Sequence, residues 1–111
     1  MRLVLAALAL VASATIATAH QLTVLAFVED GQVVVESRFS NGNRPQVGEV
    51  RVLDGENQPL MTLPLQDDGT VRFDLDPAHA EAGLLIEVTT GGGHSNYWIL
   101  TPVDIARGAG G

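Results

Sequence analysis

The chain has no cysteine. That excludes a disulfide, a thiolate metal site and a thiol nucleophile together. Small exported domains commonly depend on disulfides, so an exported chain of this size must rely on its core, or on a metal or a partner. Lysine is also absent, and six arginines face 13 acidic residues, for a formal net charge of −7. A balance this acidic argues against nucleic acid and anionic lipid as partners, while its field weakly gathers cations. There is no G-x-S-x-G serine context, no phosphate loop and no dinucleotide fingerprint. The carboxylates fall on turns and on the outer positions of alternating segments, where a solvated face is the default. No enzymatic activity is expected.

What is present begins with an export signal. Arg2 supplies a positive start, Leu3 to Ala12 is an unbroken apolar run, and Ser13 to Ala19 is small and mildly polar. The stretch ends in Ala17-Thr18-Ala19, the A-x-A pattern that a signal peptidase accepts. The apolar run is shorter than the ~20 residues a spanning helix needs. No second hydrophobic segment follows, so no transmembrane segment is expected in the mature chain. Cleavage after Ala19 predicts an exported protein that begins at His20. A cut after Ala17, with Thr15 at the −3 position, is the lesser alternative. The expected organisation is a signal peptide over 1–19, a β-sandwich domain over 20–105 and a flexible, glycine-rich tail over 106–111.

Beyond the signal no segment shows convincing helical periodicity. Short apolar runs alternate with turn signals at regular spacing, the all-β pattern. Gln21 to Val28 and Gln32 to Ser40 flank Asp30-Gly31, a strong hairpin signal. Strands are further predicted over Glu49 to Asp54, Pro59 to Leu65 (at an edge, because prolines flank it), Val71 to Leu75, Leu84 to Thr90 and Ser95 to Thr101. Pro77 to Gly83 is expected to form at most one helical turn. Seven strands predict an antiparallel two-sheet sandwich of immunoglobulin-like or transthyretin-like type. Trp98 is expected as a core anchor, with Tyr97 half-exposed beside it.

Three histidines carry the candidate chemistry: His20, His79 and His94. After cleavage at Ala19, His20 offers a free α-amine and an imidazole from one residue, and the two can close a chelate ring on a divalent metal. Cleavage at Ala17 would leave His20 third from the amine, a pattern that suits square-planar Cu(II) or Ni(II). His94 follows Gly91-Gly92-Gly93, which allow unusual φ values and close backbone approach. If strands run alternately up and down, the first and seventh start at the same end. His20 and His94 then converge. Nitrogen and oxygen ligands suit Ni(II), Co(II), Cu(II) or Zn(II), and without sulfur Cu(I) is disfavoured. By the same count His79 lies at the opposite end, as a solvated loop residue. Asp67-Asp68-Gly69 lacks the rest of a calcium loop and is read as a turn.

The chain also resembles a known family, the small periplasmic accessory proteins of energy-coupling-factor cobalt and nickel uptake systems (the NikL-like group), with carboxypeptidase-regulatory-like or transthyretin-like folds. The resemblance rests on Ala19-His20, on Asn41-Gly42-Asn43-Arg44-Pro45 followed by Val50-Arg51-Val52, on Asp67-Asp68-Gly69-Thr70-Val71-Arg72-Phe73, and on Gly93-His94 with Trp98 four residues later. It covers nearly all of 19–101, and the Gly-His-x-x-x-Trp element is its most specific part. It implies a periplasmic role in nickel or cobalt acquisition, with a permease of that type as partner. Many members carry a C-terminal membrane helix, and Gly108-Ala109-Gly110-Gly111 is not one. Association with a permease would then be through protein contacts, or be absent. The leading expectation is a metal-binding accessory protein that uses His20 and His94 for Ni(II) or Co(II). A copper-binding protein with an N-terminal histidine brace is one alternative. A metal-free β-sandwich interaction module is another, and it predicts the two histidines far apart.

Overall fold

The computed structural model describes residues 21–109. Seven strands fill most of that span: β1 (Leu22–Glu29), β2 (Gln32–Phe39), β3 (Gly48–Leu53), β4 (Pro59–Pro64), β5 (Thr70–Asp74), β6 (Leu84–Thr90) and β7 (Ser95–Leu100). They form two antiparallel sheets, one ordered β1-β2-β5 and the other β4-β3-β6-β7. This is the all-β, seven-stranded two-sheet sandwich that the alternating pattern predicts.

Each strand forms where the pattern has period two. Leu22, Val24, Ala26 and Val28 of β1 face inward and are buried. Val50 and Val52 of β3 and Ile86 and Val88 of β6 meet them from the other sheet, all fully buried. β-Branched side chains fit such a half-buried pleated surface, which explains the dominance of valine. Trp98 packs against this core half-buried, and Tyr97 stays exposed. β2 departs from strict alternation, since Val33, Val34 and Val35 are all buried. Val34 lies on the outer face, between Phe27 and Arg72 in the ladder.

The β1–β2 turn has φ of 53° at Asp30 and 76° at Gly31. Two left-handed central residues define a type I′ turn, whose twist matches that of the strands. Its two-residue length also sets which backbone groups face β2. Those of Gln21 and Thr23 do, whereas those of Leu22 point to the opposite edge. At the Asp54-Gly55 turn the left-handed residue is Asn57, with φ 62°. Gly55 is required there for space instead: a Cβ would fall 2.7 Å from that of Ala82.

The C-terminal segment differs from expectation. Pro102–Ala109 is an α-helix, α1, which runs through the expected boundary at 105 into the segment expected as a tail. Residues 110 and 111 lie outside the described range. The helix start is a reciprocal cap: Asp104 N donates to Thr101 Oγ1 at 3.1 Å, and Thr101 N donates to Asp104 Oδ2 at 3.2 Å. Pro102 takes the first helical position, where its missing N–H costs nothing. Ile105 is buried, and Gly108 sits so close to β1 that a Cβ would meet the Val28 Cβ at 2.6 Å. Helix α1, which follows β7, thus covers the end of β1. At the other end Asn96 of β7 touches Leu22 of β1. The two strands therefore run side by side in the same sense, one from each sheet.

Candidate functional site

His94 closes a three-residue hairpin between β6 and β7. Thr90 N donates to His94 O at 2.8 Å, and Gly93 N donates to Thr90 O at 3.0 Å. Gly93 has φ 85°, the left-handed residue such a loop needs before its bulge. Gly91 serves a different purpose. Its N–H donates to Val47 O at 2.9 Å, and a Cβ there would lie 3.3 Å from Val47 Cγ1. The glycine run thus lets the loop turn and lie against the β2–β3 connection. The His94 ring, half-buried, meets Phe39 edge to face, with centroids 5.3 Å apart at 74°.

That ring forms a shared wall of two grooves. The larger, about 760 Å³, runs past Phe39, Arg44, Val47, Asp68 and Thr90. The smaller, about 480 Å³, is lined by Gln21, Leu22, Thr23, His94, Ser95 and Asn96. The start of β1 and the start of β7 thus flank one groove with His94 in it. Gln21 is held on its other side by Ser40: Ser40 N donates to Gln21 O at 2.8 Å, and Gln21 N donates to Ser40 Oγ at 3.3 Å. His20, the residue before Gln21, lies outside the described residues. Among the described residues no group of three or more His, Asp or Glu side chains is placed to hold a metal ion.

His79 ends a 3-10 turn, Pro77–His79, and is half-buried rather than fully solvated. The backbone bond from Leu75 N to Gly31 O places that turn at the Asp30-Gly31 end, away from His94. Asp68 lines the larger groove but is committed to its own turn. Its Oδ1 accepts from Thr70 Oγ1 at 2.6 Å and from Thr70 N at 3.1 Å, and these bonds hold its carboxyl below the usual carboxylate range, with a smaller contribution from Arg44. A depressed pKa contributes stability that is present above the unfolded value of ~3.9 and is lost as pH falls through the folded one. In urea unfolding between pH 5 and pH 2, Asp68→Asn should therefore show a shallower acid loss than the parent chain. Equal slopes would mean that the Thr70 bonds do not favour the ionised form.

Reading residue types alone finds His94 but misses Asn96 and Ser40, whose amide and hydroxyl hold Leu22, the first residue of β1, and Gln21 just before it. Their only sequence signal is position: each sits within two residues of the end of a strand that neighbours β1. Comparison with family models, with curated proteins and with solved structures finds no match for this chain.

Proposed function

We propose that this chain is a periplasmic accessory protein of nickel or cobalt uptake, binding one divalent ion through the α-amine and imidazole of His20 and the imidazole of His94. The observation that carries the reading is the hydrogen bond from Asn96 Nδ2 to Leu22 O, 2.8 Å, which brings the starts of β1 and β7 together at His94. Leu22, two positions along the sequence from His20, lines the same groove as His94. An A-x-A cleavage pattern ending at Ala19 supplies the free amine. Three neutral nitrogens suit Ni(II), Co(II) and Cu(II), and the acidic surface favours cation capture. The resemblance to the NikL-like group supports nickel or cobalt as the cargo and an energy-coupling-factor permease as the partner. No helix among the described residues is long and apolar enough to cross a membrane.

The same three nitrogens also make a histidine brace, which favours copper as the second reading. Calorimetric titration of the chain beginning at His20 with Ni(II), Co(II), Cu(II) and Zn(II) separates them. One equivalent of tight Ni(II) or Co(II) binding, lost in His94→Ala, is the expected result. A strong preference for Cu(II) would move the assignment to the brace. No binding of any of the four would overturn both and favour a metal-free interaction module.

A further inference from the structure

Among the described residues two polar side chains are buried, Ser37 and Thr90. Ser37 is satisfied, because its Oγ donates to Gly69 O at 2.8 Å. Thr90 is not. It is 6% exposed, and its Oγ1 is enclosed with no hydrogen-bond partner among the described residues. An enclosed hydroxyl left unbonded is destabilising, so it calls for an explanation. Thr90 stands opposite His94 at the end of the β6–β7 hairpin, where Thr90 N donates to His94 O. Opposed residues send their side chains to one face, with Cβ atoms ~4.5–5.5 Å apart. Both side chains line the larger groove. Its other wall carries Arg44, which makes no ion pair among the described residues, whereas Arg51 and Arg72 are paired with Glu87 and Glu29. The ring's Nε2 side lies by Gly92, which lines the same groove: a Cβ there would stand 3.9 Å from Nε2. The walls are held by backbone. Gly91 N donates to Val47 O at 2.9 Å and Phe39 N to Asn43 O at 2.8 Å, and Arg44 Cβ packs 3.2 Å from where a Gly69 Cβ would fall.

We propose that this groove binds a small organic acid by its carboxylate, with Thr90, His94 and Arg44 as the donors. Arg44 offers a planar fork that matches a carboxylate. The His94 ring adds an N–H, and the Thr90 hydroxyl turns its proton to the remaining lone pair. Phe39, Pro45 and Val47, in the same walls, suit the carbon skeleton. Asp67 and Asp68 also line the groove, and their charge disfavours a multiply charged anion such as phosphate. Asp68 is turned away, bonded to Thr70 in its own turn. Gly91-Gly92-Gly93 beside Thr90 carries no side chains to resist a small outward shift that admits a ligand oxygen. The Thr90 hydroxyl is thus a cost in the free fold and a bond in the complex, the trade between stability and function that binding sites show. The inference stands on described residues alone and does not depend on the metal reading.

The test titrates the metal-free chain with acetate, succinate, citrate and inorganic phosphate, and follows the backbone amide signals by NMR. Thr90→Val, Arg44→Gln and Arg107→Gln are compared with the parent. Thr90→Val keeps the shape and removes the hydroxyl, and Arg107→Gln removes a cation on α1 as a control for net charge. At least one carboxylate should move the amides of residues 90–94 and Arg44 selectively, and bind more tightly than phosphate. A hydrogen bond to a charged group is worth about tenfold or more in affinity. Thr90→Val and Arg44→Gln should each lose that much, while Arg107→Gln binds as the parent does. In urea Thr90→Val should unfold at the parent's midpoint or above it, because no bond is lost in the free protein. A Thr90→Val chain that binds as tightly as the parent would overturn the inference. So would one that unfolds at a lower midpoint, since the hydroxyl would then already have a partner. Equal losses in Arg107→Gln would reduce the effect to general charge, and phosphate binding as tightly as the carboxylates would remove the ligand class. If none of the three carboxylates moves these amides, the proposal fails whatever the chain does with metal.

Discussion

One residue added ahead of His20 should lower Ni(II) affinity by more than about 100-fold, because it removes what we propose to be a direct ligand and not merely an outer partner, whose loss costs ~10–100-fold. The extension turns the α-amine into an amide that no longer binds metal as a neutral amine, while the imidazole remains. The fold should not change, since Gln21 spends its N–H and carbonyl on Ser40 and Leu22 spends its carbonyl on Asn96. The pH dependence carries a second signature. An α-amine titrates near ~7.7–8 and an imidazole near ~6.5, and both must lose protons to bind. Apparent affinity in the parent should fall steeply from pH 8 to pH 6 as protons compete for the amine and imidazole of the N-terminal residue. In the extended chain the amine no longer competes, so the residual binding should change less between pH 8 and pH 7. Calorimetry at pH 6, 7 and 8 on both chains measures this. Equal affinity in the two would show that the amine is not a ligand, and His94 would then have to act with other groups.

The strands were legible because they rest on local rules. Asp30-Gly31 sits between two apolar runs, and the type I′ geometry satisfies both the left-handed pair and the strand twist. Pro59 and Pro64 bound the strand that lies at a sheet edge, where a missing N–H is tolerated. Helix α1 was not foreseen, because it is short and buries chiefly one side chain, Ile105, so it leaves no apolar stripe. Its start signal is nevertheless written in Thr101-Pro102-Val103-Asp104, a cap residue, a proline at the first turn and an acid two places on. The Asn57 turn shows a different limit. Asp-Gly suggests glycine in the left-handed position, yet Gly55 answers to Ala82 across the fold, a contact no local rule contains. The candidate site divides in the same way. His94 is visible as chemistry set in a glycine loop. The adjacency of β1 and β7 follows from strand parity, but the amide that joins them becomes visible only when both edges are in view.

Ile86→Ala should be the most damaging single change to the fold. Ile86 is fully buried at the centre of the larger sheet, paired with Val52 on β3 and Trp98 on β7. Removing three carbons there leaves a cavity, and Ile→Ala changes cost ~2–5 kcal/mol. Total stability of domains is only ~5–15 kcal/mol, with small ones near the bottom. No disulfide limits the unfolded chain, so the loss is not cushioned. With a urea dependence of ~1–3 kcal/mol per molar, the midpoint should fall by at least about 0.7 M with unchanged slope. A fall of less than ~0.3 M would mean that the core collapses into the space. The same variant tests how the core and the metal end are related. A ligand at one hundred times its dissociation constant adds ~2.7 kcal/mol, whatever the starting stability, provided only the folded chain binds it. Ni(II) should therefore raise the parent and Ile86→Ala by the same free energy, and raise the N-terminally extended chain far less. A smaller gain in Ile86→Ala than in the parent would show that the central core and the β1–β7 seam are not independent, and that the site loosens as the sandwich does.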